Sequence, residues 1–130
     1  MWQTLQSSWL WTALGALLAA LAVAAGAYGW HALEADQAMR DIFMLGVQYH
    51  MWHALALIVT GWRASQGGGA QRWAALAGPA FILGIVCFCG NLYAFAVTGE
   101  LPVSGAAPIG GIAFMAGWVL LALSALTKAK

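Results

Sequence analysis

His31, His50 and His53, together with Tyr49, Asn91 and Tyr93, are the side chains with chemistry to offer in or beside long apolar runs. A polar group in such a run is costly, so its default reading is a site. His50 and His53 stand three apart, and on a helix their rings would reach neighbouring points. With His31 they make three imidazoles, enough for a metal centre that Glu34 or Asp36 would complete. Haem is open only through His31 and one of the other two, because residues three apart on one helix cannot bind opposite faces of one iron. A quinone needs only a His or Tyr donor and an apolar slot near the membrane interface. Against these stands a plainer use, in which neutral histidines tie helices together by hydrogen bonds worth about 1 kcal/mol each.

The elements that must position these groups are membrane helices. Of 130 residues, 63% are hydrophobic and only 7% charged, whereas soluble domains carry about a quarter charged residues. A net charge of +1 with five basic residues gives no footprint for nucleic acid. Four apolar segments, at about residues 9–29, 42–62, 73–97 and 106–126, contain no Asp, Glu, Lys or Arg. Each is near the roughly twenty residues that cross a hydrocarbon core. Alternation is absent, so helices rather than barrel strands are expected. The fold class is therefore an all-α integral membrane protein, one four-transmembrane-helix bundle over residues 1–130. No Lys or Arg precedes the first run, so it reads as a retained span rather than a signal peptide.

The connectors hold nearly all the charge. Glu34, Asp36, Arg40 and Asp41 are interleaved with Leu33, Met39, Ile42 and Phe43, a pattern open to a short interfacial helix. Gly67, Gly68 and Gly69 read as a flexible turn. Pro108 suits the first turn of the last helix. Arg63, Arg72, Lys128 and Lys130 share one side and Arg40 the other, which puts both termini in the cytoplasm by the positive-inside rule. Trp9, Trp11, Trp62 and Trp73 would form the cytoplasmic aromatic belt, with Trp30 at the other interface.

Small residues spaced by four, Ala22 and Gly26, Ala80 and Gly84, and Ala113 and Gly117, would let helix backbones approach closely, with Gly110 on the same stripe as the last pair. In the second span Gly46, Tyr49, His50, His53, Leu57 and Thr60 fall on one face. In the third, Ala80, Gly84, Cys87, Asn91 and Ala94 form a stripe, with Cys89 and Tyr93 on the other face. Two cysteines on opposite faces of a helix do not bond, and both read as packing residues. In depth, all three histidines, Tyr49, Asn91 and Tyr93 gather in the outer half, leaving the cytoplasmic half almost wholly apolar.

These same residues carry a resemblance. Gly26-Ala27-Tyr28-Gly29-Trp30-His31-Ala32-Leu33, Gln48-Tyr49-His50-Met51-Trp52-His53-Ala54, Phe88-Cys89-Gly90-Asn91-Leu92-Tyr93, and Pro108-Ile109-Gly110-Gly111 followed by Gly117-Trp118 are motifs in order over nearly the whole chain. The sequence resembles the bacterial inner-membrane family called domain of unknown function four-two-three, whose eukaryotic relatives include a small mitochondrial transmembrane protein. Cys89 and Asn91 stand where that family has serines. The resemblance implies a multi-pass four-helix protein of the bacterial inner membrane and brings no activity, cofactor or catalytic residue.

The function classes divide accordingly. Small size and tiny loops favour a non-enzymatic accessory, assembly or structural component, acting as a homo-oligomer or with a membrane-protein partner. The outer histidine cluster favours a metal, haem or quinone site with a redox role. A small oligomeric transporter or channel ranks third, since no charged residue lies in a span to mark an ion path. Hydrolases and kinases are excluded: no nucleophile motif is present, and the Gly67–Gly69 turn lacks the Lys and Ser or Thr of a phosphate loop.

Overall fold

The computed structural model describes residues 1–128, so Lys130 lies outside the described residues. A single-turn helix α1 (Trp2–Leu5) precedes four long ones: α2 (Ser8–Ala32), α3 (Gln37–Ser65), α4 (Gly68–Thr98) and α5 (Ala106–Leu126). All four long helices are long and apolar enough to cross a membrane. Helix is what such segments must form in lipid, where each backbone polar group needs an internal partner.

The expected interfacial helix before the second span is instead the start of α3. Asp36 caps it, its carboxylate accepting from Met39 N–H at 3.1 Å. That cap extends the helix back to Gln37 and brings Met39, Arg40, Ile42 and Phe43 into it. Arg40 then lies 4.6 Å over the Trp30 ring. At the opposite end the turn between α3 and α4 needs only Gln66 and Gly67. Gly67 (φ 71°) and Gly68 (φ 59°) supply left-handed backbone that other residues resist.

α2 packs along α3 through Gly15, Ala22 and Gly29, which are spaced by sevens, the period of a coiled-coil seam. A Cβ on Gly15 would lie 2.7 Å from the Ala54 carbonyl oxygen, and Gly29 faces Phe43. From α3, Gly61 answers against Ser8 and Thr12. The close approach expected at Gly26 is therefore shifted to its neighbours on the seam: a Cβ there would meet only Val47, at 3.4 Å. Between α4 and α5 the expected glycines do pack. Gly84 faces the Phe114 ring, Gly110 the Phe88 backbone and Gly117 the Phe81 ring.

Two expectations fail for local reasons. Trp11 is not in an aromatic belt but buried against Gly78 of α4, its indole N–H donating to the Leu5 carbonyl at 2.8 Å. Trp9, Trp30 and Trp62 are exposed and Trp73 is half-buried. In α4, Ile85–Cys89 form a π turn, whose extra residue rotates everything beyond it. Of the expected stripe Gly84 and Asn91 are buried, but Cys87 and Ala94 are half-buried, and Phe81, Ile85 and Cys89 are buried instead. Both thiols are free.

Arg63, in the last turn of α3, donates to the Ser124 carbonyl near the end of α5 and to Ser124 Oγ at 3.4 Å. A guanidinium at the carbonyl end of a helix satisfies an orphan acceptor and opposes the helix dipole. Arg63→Ala is expected to destabilise the bundle by about 2 kcal/mol. Unfolding in detergent checks this, with amide exchange of residues 120–126 rising most.

Candidate functional site

His50 and His53 are 5% and 4% exposed, on the same face of α3 as Gly46, Leu57 and Thr60. The expected helix face is therefore the buried one. Both stand near the middle of α3, which runs from Gln37 to Ser65.

His53 is held at both ring nitrogens. Nδ1 lies 2.6 Å from the Tyr49 carbonyl oxygen, and Nε2 lies 3.1 Å from Trp118 Nε1. Indole can only donate, so Nε2 accepts; Nδ1 then carries the proton and donates to Tyr49. The ring also stacks on Phe114, with centroids 3.5 Å apart and planes 13° apart. This one side chain therefore clamps α3 to α5.

His50 is held once. Its Nδ1 lies 3.0 Å from the Tyr93 hydroxyl, while Nε2 is sealed without a partner among the described residues. Tyr93 was expected on the far face of its helix. The π turn swings it toward α3, where its ring covers Gly46 and meets Phe43 at 4.6 Å. Asn91 is buried too, but lines a separate groove with Cys87, Pro102 and Ala106.

His31 is exposed in the last turn of α2. Its neighbour Gly29 faces Phe43, and His50 lies seven residues further along α3, about 10 Å by helical rise. Among the described residues no three His, Cys, Asp or Glu side chains come together as a metal site. The expected ligand set of His31, His50 and His53, with Glu34 or Asp36, is thus not assembled. The lone pair of His53 is spent on Trp118, and Asp36 is spent on its helix cap. The same separation denies haem the opposed pair that includes His31. These residues do not fit either group.

What the fold does assemble is an aromatic groove of about 710 Å³. Tyr49, Trp52 and His53 of α3, Phe88 of α4, and Gly111, Phe114 and Trp118 of α5 line it. Trp118 and Phe114 are one helical turn apart and share the face toward His53. That spacing is the signal in the sequence, where Trp118 otherwise stands only in the Gly117-Trp118 motif.

A family model described as protein of unknown function (DUF423) matches residues 25–111, which span the histidines and reach the groove at Gly111. The UPF0382 membrane protein YwdK of Bacillus subtilis is 40% identical over 116 residues, covering 87% of this chain and 93% of the relative. The UPF0382 membrane protein SH2409 of Staphylococcus haemolyticus is 39% identical over 119 residues, covering 88% and 93%. A UPF0382 membrane protein of Haemophilus influenzae is 31% identical over 111 residues, covering 84% and 87%. No solved structure matches.

Proposed function

The chain belongs to the DUF423 family of bacterial membrane proteins, and from that premise we propose that it is a non-enzymatic component of an assembly in the inner membrane. The observation that supports this is the face α2 turns away from the bundle. α2 is the least buried of the four spans. Its outward side carries Ala16, Ala20 and Ala24, exposed and spaced by four, with Ala13 and Ala27 beside them. In lipid, helices associate through small residues that let backbones come close. Within the chain, the polar groups are used to hold helices: His53 to Trp118, Arg63 to Ser124, His50 to Tyr93. The partner is another membrane protein or a second copy, met inside the bilayer. In this reading the end bearing Arg63, Arg72 and Lys128 faces the cytoplasm.

Native mass spectrometry after gentle extraction from the protein's own membrane tests the reading. A stoichiometric complex is expected, weakened roughly ten-fold by Ala20→Phe, whose bulk holds backbones apart without entering the bundle. A monomer carrying only lipid, or a complex indifferent to Ala20→Phe, would overturn it.

A further inference from the structure

The groove between α3 and α5 has features that the packing of the bundle does not use. Tyr49 and Trp52 line it, yet neither the Tyr49 hydroxyl nor the Trp52 indole N–H bonds to a protein group among the described residues. Both residues lie near the middle of α3, remote from both ends of the span. No water or headgroup serves a donor at that depth, and a donor without an acceptor in hydrocarbon is costly. The walls are flat rings. Tyr49 lies 5.1 Å from Trp52 and 4.7 Å from Phe88, and His53 stacks on Phe114 below.

The fourth helix is deformed where it meets this groove. Phe88 belongs to the π turn, a distortion that recurs at functional sites. Its backbone rests on Gly110 of α5. The next residue, Gly111, opens onto the groove, and a Cβ there would meet nothing within 4 Å. One glycine admits the helix, and the other leaves room.

We propose that this groove binds the ring of a lipid-soluble carbonyl compound of the quinone class. A flat ring stacks between aromatic walls, its carbonyl oxygens accept from the Tyr49 hydroxyl and the Trp52 N–H, and its apolar tail leaves into the bilayer. Competing occupants satisfy less of the site. An acyl chain fits the walls but has no acceptor at mid-depth. A partner helix keeps its carbonyls in its own hydrogen bonds. Metal and histidine ligation play no part, since His53 is already held at both nitrogens.

The test uses the full chain in phosphatidylcholine nanodiscs freed of quinone, titrated with decyl-benzoquinone, with tryptophan fluorescence as the readout. Trp52 and Trp118 line the groove, so bound quinone quenches saturably. Gly111→Phe fills the open space without meeting protein atoms at its Cβ, and is expected to weaken the saturable quenching roughly ten-fold or more while the melting curve is kept. Tyr49→Phe is expected to weaken it about three- to ten-fold, as loss of one hydrogen bond does. Quenching linear in quinone and equal in all three proteins is partition into lipid, and would overturn the proposal. So would displacement of the probe by a co-purified helix that Gly111→Phe also rejects. The α2 face is untouched by either substitution, so this proposal and the association reading stand or fall separately.

Discussion

Gly110→Ala is expected to destabilise the bundle by about 2 kcal/mol or more, while Gly111→Ala, one residue on, leaves it unchanged or about 1 kcal/mol more stable. A Cβ on Gly110 would lie 2.5 Å from Phe88 N and 3.0 Å from its Cα. Those are backbone atoms of α4, fixed by the helix on either side, so relief requires α4 and α5 to separate. At Gly111 the same atom enters open space. Both residues are helical, and both substitutions gain the same helix propensity over glycine. Their difference therefore isolates packing. Reversible unfolding of both variants in one detergent measures it. Equal changes would mean that α4 and α5 do not meet at Gly110. The groove would then lose the close seating of the Phe88 backbone on α5 that brings Phe88 and Gly111 to its two sides.

The bundle was legible in the sequence because charge marks the ends of spans and is absent between them. Lipid permits only helices and closed barrels, and long apolar runs without alternation leave the helix. The buried face of α3 was legible too, since Gly46, His50, His53, Leu57 and Thr60 keep a regular helical period. The seam of α2 was less so. Gly26 and Gly29 are equally small, and only the crossing of two helices decides which one meets the partner. The sevenfold spacing of Gly15, Ala22 and Gly29 was nevertheless present to be read. The π turn had no such signal. Nothing in Ile85–Cys89 announces an extra residue per turn, so Cys89 and Tyr93 were set on the wrong face beyond it. The metal expectation failed for a related reason. A count of histidines gives chemistry without placement: His31 stands exposed at the end of α2, whereas His50 and His53 are buried on α3 and His53 is bonded at both ring nitrogens.

His53→Ala is expected to cost about 3 kcal/mol, the largest loss of any polar substitution in the spans. The change removes a ring stacked on Phe114 and leaves the Trp118 N–H without its acceptor. A double-mutant cycle with Trp118→Phe separates the two effects. The coupling is expected to lie between about 0.6 kcal/mol, the average measured for side-chain hydrogen bonds between membrane helices, and about 1.7 kcal/mol, the largest. The ring tautomer gives an independent check. Nitrogen-15 shifts should report a proton on Nδ1 and none on Nε2, since indole cannot accept. A protonated Nε2 would dissolve the clamp. The same experiment distinguishes two histidines that look alike in sequence. A clamp loses stability when removed, whether or not any ligand is bound. A side chain kept for a ligand is a burden to the empty bundle, so its replacement by an apolar residue leaves that bundle as stable or more so. His53 is expected to behave in the first way. His50, with Nε2 sealed and unpartnered, already bears an uncompensated desolvation cost. His50→Phe removes that cost but also the bond to the Tyr93 hydroxyl, so it should cost less than His53→Ala, although both rings lie on one face of one helix and are similarly buried.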